Sequence, residues 1–334
     1  MSSIIDVARR AAVSTATVSR VLSKPALVKA ATRDRVLKVI EELKYEPNRA
    51  ARTLRTSRAS KILVTVPDIS NPFFANIIRG AEEAARHAGY SVILGDTRYD
   101  PELESQYALM LLRREVDGLV FLGHRVPDIL SDMISEQGSN AAVVNGCEYS
   151  PGLPVSSVHI DNAGAAAEMI DYLASLGHSS IGIITGPLAS PISSDRLKGV
   201  RSAAKRHGIQ ASLQIGKGDY SVGSGFTEAQ KLIRNHAVTA IFCFSDEMAI
   251  GASEAVAAAG LSCPQDISVA GFDDIRFARF LRPSLTTIAQ PTVEIGLQAV
   301  HLLLEIMNDG QESLRNITLP HDLIVRKSTA ARKA

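Results

Sequence analysis

Short β-rich runs alternate with longer helical runs from Lys61 onward, and this alternation constrains the fold more than any other feature. The strand-like runs include KILVTVP, YSVILG, DGLVFLG, SIGIITG, TAIFCFS and ISVAGFD, with helical runs such as FFANIIRGAEEAARHAG and EMAIGASEAVAAAG between them. Strands of about six residues that alternate with helices of about 10–15 residues are typical of parallel α/β sheets. Because the alternation resumes after residue 161, the sequence predicts two similar lobes.

Residues 4–44 carry a different pattern, which predicts three short helices. Ser14 can cap the second helix and Thr32 the third. The apolar residues expected to face a common core are Ile4, Val7, Ala8 and Ala11, then Val18, Val21 and Leu22, then Val36, Val39, Ile40 and Leu43. Two short helices joined by a turn and backed by a third form the outline of a helix-turn-helix unit.

Charge separates this N-terminal segment from the rest of the chain. The net charge of the whole chain is +1. Residues 1–58 carry 13 Lys and Arg against 5 Asp and Glu, a balance of +8, and the remaining residues have a balance of −7. A basic module on an acidic body indicates binding to a polyanion. It favours DNA binding over the alternative of a small helical bundle with a solvated polar face.

The second predicted helix supplies the candidates for reading bases. In a helix-turn-helix unit the N-terminal part of this helix enters the major groove, which would expose Thr15, Ala16, Ser19 and Arg20. Arg20 can donate two hydrogen bonds to a guanine, whereas Ala16 offers a methyl contact, for example to thymine. The residue types suited to phosphate contacts that set the register are Ser14, Thr17 and Tyr45.

The chain resembles the LacI/GalR family of bacterial transcription regulators. The resemblance rests on IIDVARRAAVSTATVSRVLSKP and TRDRVLKVIEELKYEPNRAARTLRT, and on later blocks such as NPFFANIIRGAEEAARHAGY, LGHSSIGIITGP, AIFCFSDEMAIGA and SLTTIAQP. It implies an N-terminal all-α helix-turn-helix domain followed by a hinge helix. It also implies a two-lobed α/β core, similar to periplasmic binding proteins, that dimerises and has parallel sheets flanked by helices. The expected bounds are 1–46 for the DNA-binding domain, 47–59 for the hinge and linker, 60–334 for the core, about 60–160 and 290–318 for lobe 1, and about 161–289 and 319–334 for lobe 2.

The hinge segment reads NRAARTLRTSR, with four arginines at a spacing of three. Asn48 follows a proline and can cap a helix, while Ala51 is compatible with one. In the family that the chain resembles, such helices pair in the minor groove and insert one apolar wedge between base pairs. Leu54 matches the wedge, and Arg49 and Arg55 supply attraction to phosphate. Since isolated helices this short are unstable in water, we expect the segment to fold on DNA and under ligand control.

Ligand-binding candidates follow the predicted strands of the core, because ligands bind at the carboxyl ends of strands in open α/β sheets. Phe73 and Phe74 can pack on a ring face or can simply belong to the core. Asp246 and Asp273 can accept from vicinal hydroxyls, or can act as a helix cap and a turn residue. The resemblance adds Arg196, at the start of its helix, as a hydroxyl-binding residue. The remaining candidates are Asn71, Asn145, Tyr220 and Gln290, of which Tyr220 can stack on a base or cover the cleft and Gln290 can be hinge or ligand contact.

The candidate residues also indicate which kind of ligand to expect. The set with Asn71, Arg196 and Asp273 resembles that of ribose-binding members, but Asn145-Gly146 stands where those have an Asp-Arg pair, which argues against free ribose. Several blocks look most like the branch of cytidine repressors. We therefore expect a nucleoside such as cytidine, with a pentose or hexose sugar, or a purine base, as alternatives.

Catalysis has little support in the sequence. The chain has no P-loop, no GxSxG and no HExxH motif, and its three cysteines have no metal-ligand spacing. We therefore expect no catalytic residue, metal or cofactor, and partners limited to operator DNA, the effector and a second copy of the chain. A solute-binding transport protein shares the core fold but would need export, and we see no signal peptide or membrane segment. The expected location is the cytoplasm, at the nucleoid, and the absence of an apolar heptad after residue 325 speaks against a C-terminal tetramerisation segment.

Overall fold

The computed structural model describes residues 3–45, 58–235, 238–309 and 313–332. The chain divides into two compact units, Met1–Ala59 and Ser60–Ala334, each of which is described by itself. Asn48, Arg49, Ala51, Leu54 and Arg55, which we expect to bind DNA, lie outside the described residues.

The first unit is a three-helix module with its own apolar core. Its helices are α1 (Ile4–Arg10), α2 (Thr15–Ser23) and α3 (Ala30–Glu42), with a short 3-10 turn at Pro25–Leu27. The buried core residues are Val7, Ala8, Ala11, Val18, Val21, Val36, Val39 and Tyr45. The helical spacing of apolar residues therefore predicted most of this core.

Two details of the first unit differ from the prediction. The N-cap of α3 is Lys29, which makes no side-chain capping bond, so Thr32 lies inside the first turn of the helix and does not cap it. Leu22 is 38% exposed, since the inward stripe of α2 is completed by Val18 and Val21 alone. The predicted cap of α2 is confirmed, because the Ser14 hydroxyl accepts a hydrogen bond from the backbone N–H of Thr17.

The second unit contains two sheets, of which the first is entirely parallel. Its strands are β1 (Lys61–Val66), β2 (Ser91–Asp96), β3 (Gly118–Phe121), β4 (Val143–Gly146), β5 (Ser156–Ile160) and β11 (Asn316–Leu319). They lie in the order β11-β5-β4-β3-β1-β2. The helices of this lobe are α4 (Phe73–His87), α5 (Pro101–Leu112), α6 (Asp128–Gln137) and α11 (Thr292–Asp309). Nearly continuous burial of β1, β3 and β4 fits a sheet covered on both faces.

The second sheet has the same construction with one antiparallel edge strand. Its strands are β6 (Ile181–Thr185), β7 (Gln214–Lys217), β8 (Ala240–Cys243), β9 (Ser268–Asp273), β10 (Thr286–Ala289) and β12 (Asp322–Ile324). The order is β12-β10-β9-β8-β6-β7, and β12 runs antiparallel to β10. The flanking helices are α7 (Asn162–Ser175), α8 (Pro191–Arg206), α9 (Val222–Asn235) and α10 (Asp246–Ala258).

The chain passes from one sheet to the other after β5, after β10 and after β11. Gln290 and Pro291 form the second of these crossings, directly between β10 and α11. The predicted fold class, a helix-turn-helix domain attached to a two-lobed parallel α/β core, is confirmed, while the exact residue bounds of the domains stay predictions. No helix within the described ranges is long and apolar enough to cross a membrane.

Candidate functional site

The first candidate site is the exposed side of α2. Thr15, Ala16 and Arg20 are exposed, whereas Thr17 and Ser19 are half-buried. These residues face solvent because Val18 and Val21, on the opposite side of the helix, pack into the core. The helix thus presents a guanidinium and small side chains along one face, which is suited to entry into a groove.

Two of the predicted phosphate-binding side chains also have structural contacts. The Ser14 and Thr17 hydroxyls lie 3.0 Å apart in a hydrogen bond at the start of α2. Tyr45 is 9% exposed and its ring packs in the core, so a phosphate contact by this residue can use no more than its hydroxyl edge.

The second candidate site is a cavity between the two lobes of the core unit. Its open volume is about 540 Å³, which includes solvent at its mouth. Lobe 1 contributes Pro67, Asn71, Phe73, Phe74, Tyr99, Leu122, Gly123, His124, Cys147 and Glu148, and lobe 2 contributes Pro187, Ile192, Arg196, Tyr220, Ser245 and Asp273. Nearly all of them lie in or beyond the carboxyl end of a strand, where ligands bind in α/β sheets.

Arg196 is the one guanidinium in this lining, and it is fixed from three directions. Its Nε donates to Oδ1 of Asn162 at 2.8 Å and its Nη1 donates to the carbonyl of Phe244 at 2.6 Å. The guanidinium carbon lies 3.7 Å from the centroid of the Phe272 ring. The sequence suggested that Arg196 opens its helix, but α8 begins five residues earlier, at Pro191. The side chain is held rigidly, which leaves Nη2 without a partner among the described residues.

Asp273 is the last residue of β9 and has a left-handed backbone, with φ of 116°. Its Oδ1 accepts a hydrogen bond from Nε2 of Gln290 at 2.8 Å. Burial raises the pKa of Asp273 to about 7, although the positive charge of Arg196 opposes the rise. The predicted residue Gln290 therefore orients Asp273 from the lobe crossing and does not itself line the cavity.

Asp246 lies outside the lining of the cavity. It is the first residue of α10, and Ser245 caps the helix in its place. The fully buried carboxylate of Asp246 accepts from the hydroxyl of Thr287 at 2.6 Å and from the backbone N–H of Ile275 at 2.8 Å. Burial raises its pKa well above the usual value. These contacts connect α10 to the loop after β9. Asp246 therefore stabilises the structure beside the site and does not face the ligand.

Asn145 also lies behind the lining. Its Nδ2 donates to the carbonyl of Gly123 and the hydroxyl of Ser150, at 3.3 and 3.2 Å. Its Oδ1 is buried and has no hydrogen-bond partner among the residues described. The next residue is Gly146, where a Cβ atom would lie 2.7 Å from a methyl group of Leu122. The strand end is thus filled by neighbouring side chains, and a larger residue than glycine would not fit without movement.

Aromatic rings cover part of the cavity. Phe73 and Phe74, at the start of α4, meet edge to face with 5.1 Å between their centroids, and Phe74 is the more deeply buried of the two. The half-buried ring of Tyr220 lies against Gly186, and its hydroxyl hydrogen-bonds to Ser193. Flat apolar faces beside hydroxyl-binding groups suit a ligand that has both a ring and hydroxyls.

Sequence reasoning missed four polar residues of the lining, namely Tyr99, His124, Glu148 and Ser245. Burial raises the pKa of Glu148 to about 7 and lowers the pKa of His124. Glu148 lies two residues after β4, so the rule that pointed to Asp273 at the end of β9 could have found it. Across the part of the chain that the structure describes, no group of three His, Cys, Asp or Glu side chains could hold a metal ion.

Known proteins share both parts of this architecture. Residues 3–48 match the family described as bacterial regulatory proteins, lacI family, and residues 170–329 match the periplasmic binding protein-like domain. The HTH-type transcriptional repressor CytR of Escherichia coli (strain K12) is 41% identical over 328 residues, which cover 98% of this chain and 96% of that protein.

Two solved structures are similar over most of their length. The lac repressor dimer bound to operator and the anti-inducer ONPF has a TM-score of 0.87 and 29% identity, with 99% of each chain covered. A LacI family transcriptional regulator from Enterococcus faecium with bound ribose has a TM-score of 0.73 and 31% identity, with 82% of this chain and 100% of that chain covered.

A basic helix-turn-helix module joined to a two-lobed core with a polar cavity defines the class of ligand-controlled DNA-binding regulators. The chain belongs to the lacI family of bacterial regulatory proteins. It is therefore a DNA-binding transcriptional repressor with an effector-binding domain, and not an enzyme.

Proposed function

We propose that the chain represses transcription as a homodimer on a palindromic operator, and that a nucleoside in the interlobe cavity controls it. Cytidine is the first candidate. The observation that carries the proposal is the lining of one cavity by Asn71, Arg196 and Asp273 on the one hand and by aromatic rings on the other. The first group can bind vicinal hydroxyls, and the second can cover the faces of a planar base.

The charge of the cavity supports an uncharged ligand. Arg196 is the single cationic side chain of the lining, since burial lowers the pKa of His124, and it faces two buried acids, Glu148 and Asp273. A phosphate would bring further negative charge towards both acids, which is unfavourable in a site of low dielectric. This balance favours a nucleoside over a nucleotide.

A pentose or hexose sugar is the second candidate. It is supported by the Enterococcus faecium relative, whose structure contains ribose. Against it stands the aromatic part of the lining, with Phe73, Tyr99 and Tyr220, which suits a planar base better than a sugar ring alone. A purine base is a third candidate, for which we find no separate support.

The DNA contacts that we propose begin with α2. Arg20 reads a guanine, Ala16 contacts a thymine methyl group, and Thr15 and Ser19 lie along the same groove. Ser14, Thr17 and the hydroxyl of Tyr45 contact phosphates. For residues 48–55 the proposal rests on the sequence alone: Leu54 enters the minor groove at the centre of the operator, and Asn48, Arg49, Ala51 and Arg55 support it.

Dimerisation is supported by the surface of the core unit and by its relatives. Phe277 and Phe280 are 42% and 68% exposed, and Ile69 is 54% exposed. Phe277 and Phe280 lie next to each other in the chain at the 3-10 turn Ala278–Phe280, and neighbouring exposed apolar side chains, unlike isolated ones, are typical of protein interfaces. The lac repressor structure to which the chain is similar is a dimer on operator.

Control requires that the ligand binds one arrangement of the lobes better than another, because a ligand with equal affinity for both shifts nothing. Arg196 and Asp273 belong to lobe 2, whereas Asn71, Phe73 and Glu148 belong to lobe 1. A ligand that touches both sets favours one angle between the lobes. By linkage, operator DNA then changes the ligand affinity by the same factor. We expect the protein to act in the cytoplasm, at the nucleoid.

The test uses the full chain and an operator selected from random duplexes. A thermal-shift panel of nucleosides, free bases and sugars identifies the ligand, since a ligand of the folded state raises the melting temperature with its concentration. Operator affinity is then measured with and without that ligand over a salt series. We expect cytidine to stabilise the core and to change operator affinity. A response to a sugar but to no nucleoside would replace the first candidate with the second.

A variant at Arg20 tests the reading helix. Arg20→Ala should cost about 1–3 kcal/mol at one base pair of each half-site and relax specificity there. The control is Arg9→Ala, a change of the same type at a side chain 78% exposed on α1. A uniform loss for Arg20→Ala over all sequences would make Arg20 a phosphate contact instead.

A further inference from the structure

Glu148 is the one acid that lobe 1 contributes to the cavity, and the proposed hydroxyl contacts do not use it. It lies in the loop after β4 and directly follows Cys147 in the chain. The left-handed backbone of Cys147 (φ 60°) turns the chain at the strand end. The Glu148 side chain is 6% exposed. A carboxyl group is costly to bury unless it is hydrogen-bonded, so the partners of Glu148 in the lining decide what it can do.

The contacts of Glu148 hold it in place without neutralising it. The hydroxyl of Ser190, which caps α8 of lobe 2, donates towards Oε1 at 2.9 Å and towards Oε2 at 3.3 Å. The backbone N–H of Ile192 also favours the charged form. Glu148 takes part in none of the ion pairs between described residues, and the charge of Arg196 acts on it only from a longer distance. The group is therefore oriented by the start of α8 and remains free to gain or lose a proton.

Its surroundings account for partial protonation of the carboxyl near neutral pH. Burial is the largest effect and raises the pKa of Glu148 to about 7. The titratable and charged groups that face it are Asp195 and Arg196 of α8, Tyr220 from the loop before α9, Tyr99 from the loop after β2, and its chain neighbours Cys147 and Tyr149. Arg196 favours the ionised carboxylate, while Asp195 disfavours it.

A carboxyl group that carries one proton presents a donor and an acceptor side by side. Its complement is a ring nitrogen acceptor next to an exocyclic amino group, which completes two parallel hydrogen bonds. Tyr99 and Tyr220 line the same cavity as Glu148, so aromatic side chains share the space into which the carboxyl faces. That environment suits the edge of a flat heteroaromatic ring better than an isolated sugar hydroxyl.

We propose that Glu148 reads the base of the ligand by pairing with a ring nitrogen and its neighbouring amino group, as N3 and N4 of cytosine present them. The inference rests on the proposed function, a nucleoside in this cavity, and deepens it by assigning base specificity to one residue. Uracil presents an N–H at this ring position and a carbonyl in place of the amino group. The carbonyl is a much weaker proton acceptor than N3 of cytosine, so the shared proton strengthens the pair with cytosine more.

The experiment is isothermal titration of the full chain with cytidine, uridine and 3-deazacytidine, which keeps the amino group but lacks the N3 acceptor. At about pH 6 we expect cytidine to bind at least about tenfold more tightly than 3-deazacytidine, because a site built for a hydrogen bond rejects a ligand that lacks it. Uridine should bind less tightly than cytidine, because its carbonyl is the weaker acceptor. This comparison uses the unmodified protein, so it decides the question even if a variant fails to fold. Equal affinity for cytidine and 3-deazacytidine would overturn the inference.

Two variants test whether Glu148 causes the preference for cytidine over 3-deazacytidine. Glu148→Leu should reduce the ratio of cytidine to 3-deazacytidine affinity to about one. Glu148→Gln, whose amide also presents a donor beside an acceptor, should keep cytidine binding and reduce the weakening between about pH 6 and about pH 8.5 to the part that Asp273, with a pKa also raised to about 7, contributes. The control Glu247→Gln changes a half-buried acid outside the lining and should leave the ratio unchanged.

The outcomes separate this inference from the proposed function. If cytidine binds and Glu148→Leu leaves the ratio of cytidine to 3-deazacytidine affinity unchanged, the inference is wrong but the nucleoside proposal is not contradicted. Binding of a sugar but of no nucleoside would overturn both. Melting temperature and operator binding of each variant report whether it is folded.

Discussion

Arg196 lies over the ring of Phe272, with 3.7 Å between its guanidinium carbon and the ring centroid. Two of its nitrogens donate to Asn162 and to the carbonyl of Phe244, so both the stacking and the hydrogen bonds use the planar shape of the group. Lysine cannot reproduce this arrangement, because its ammonium is a point charge on a flexible chain.

Arg196→Lys should therefore weaken ligand binding by more than about tenfold and lower the free energy of unfolding by about 1–3 kcal/mol. Titration calorimetry and urea denaturation measure the two effects. The matched control is Arg201→Lys, at an exposed position of the same helix α8. An Arg196→Lys protein that bound ligand as tightly as Arg201→Lys would show that the fork geometry is not used.

Gly199 tests how α8 positions Arg196. A Cβ atom at Gly199 would overlap the backbone carbonyl of Ala163 in α7, and the Arg196–Asn162 hydrogen bond lies one turn away on the same helix pair. Gly199→Ala should push the helices apart, cost about 2 kcal/mol or more in stability and weaken ligand binding. Thermal unfolding and ligand titration measure both effects.

Gly223→Ala is the control for this substitution. Gly223 is exposed in the first turn of α9, and the nearest atom to a Cβ there would be the Ser221 hydroxyl at 3.9 Å. Alanine should be tolerated or slightly stabilising at that position, since glycine disfavours helices by roughly 0.5–1 kcal/mol. If both substitutions had equal effects, the close approach of α7 and α8 would not be the cause.

Local pattern predicted the elements well, because strand and helix periodicity and caps such as Ser14 depend on neighbouring residues. It also predicted that Asn71, Phe73 and Asp273 would gather, since strand ends meet at one edge of a sheet, whereas Arg196 was predicted from the family resemblance alone. The cap of α3 escaped prediction because Lys29 makes no capping bond with its side chain.

Roles set by distant contacts could not be predicted. Glu148 is oriented by Ser190, 42 residues away, and the hydroxyl that holds Asp246 belongs to Thr287, 41 residues away. No local pattern contains such pairs. For the same reason the sequence could not distinguish the roles of Asp273 and Asp246. Asp273 lines the cavity, whereas the carboxylate of Asp246 accepts hydrogen bonds from within the protein.

Thr287→Val should separate the structural role of Asp246 from ligand binding. The substitution keeps the shape of the side chain but removes the hydroxyl that donates to Asp246 Oδ1 at 2.6 Å. A buried acceptor that loses its donor costs about 1–3 kcal/mol, so the urea midpoint should fall. Ligand affinity should change much less than in Arg196→Lys. The control is Thr318→Val, the same change at an exposed position of β11, which should be nearly neutral.

Asp273 gives the unliganded protein a pH dependence with a defined sign. Burial raises its pKa to about 7 in the folded protein, above the value of about 3.9 for an unperturbed aspartate. The folded state therefore binds more protons than the unfolded state between these values, and stability falls as the pH rises through that range. One such group contributes a slope of up to about 1.4 kcal/mol per pH unit, which levels off above about pH 7.

Asp273→Asn should remove this contribution, because asparagine cannot ionise but its Oδ1 can still accept from Gln290. The stability of the variant relative to the original protein should thus increase between about pH 5 and about pH 7 and then stay constant. Urea denaturation without ligand across this range is the measurement. Asp132→Asn, at an exposed position of α6, controls for the loss of one surface charge. A difference between Asp273→Asn and the original protein that did not vary with pH would mean that Asp273 is already ionised throughout this range.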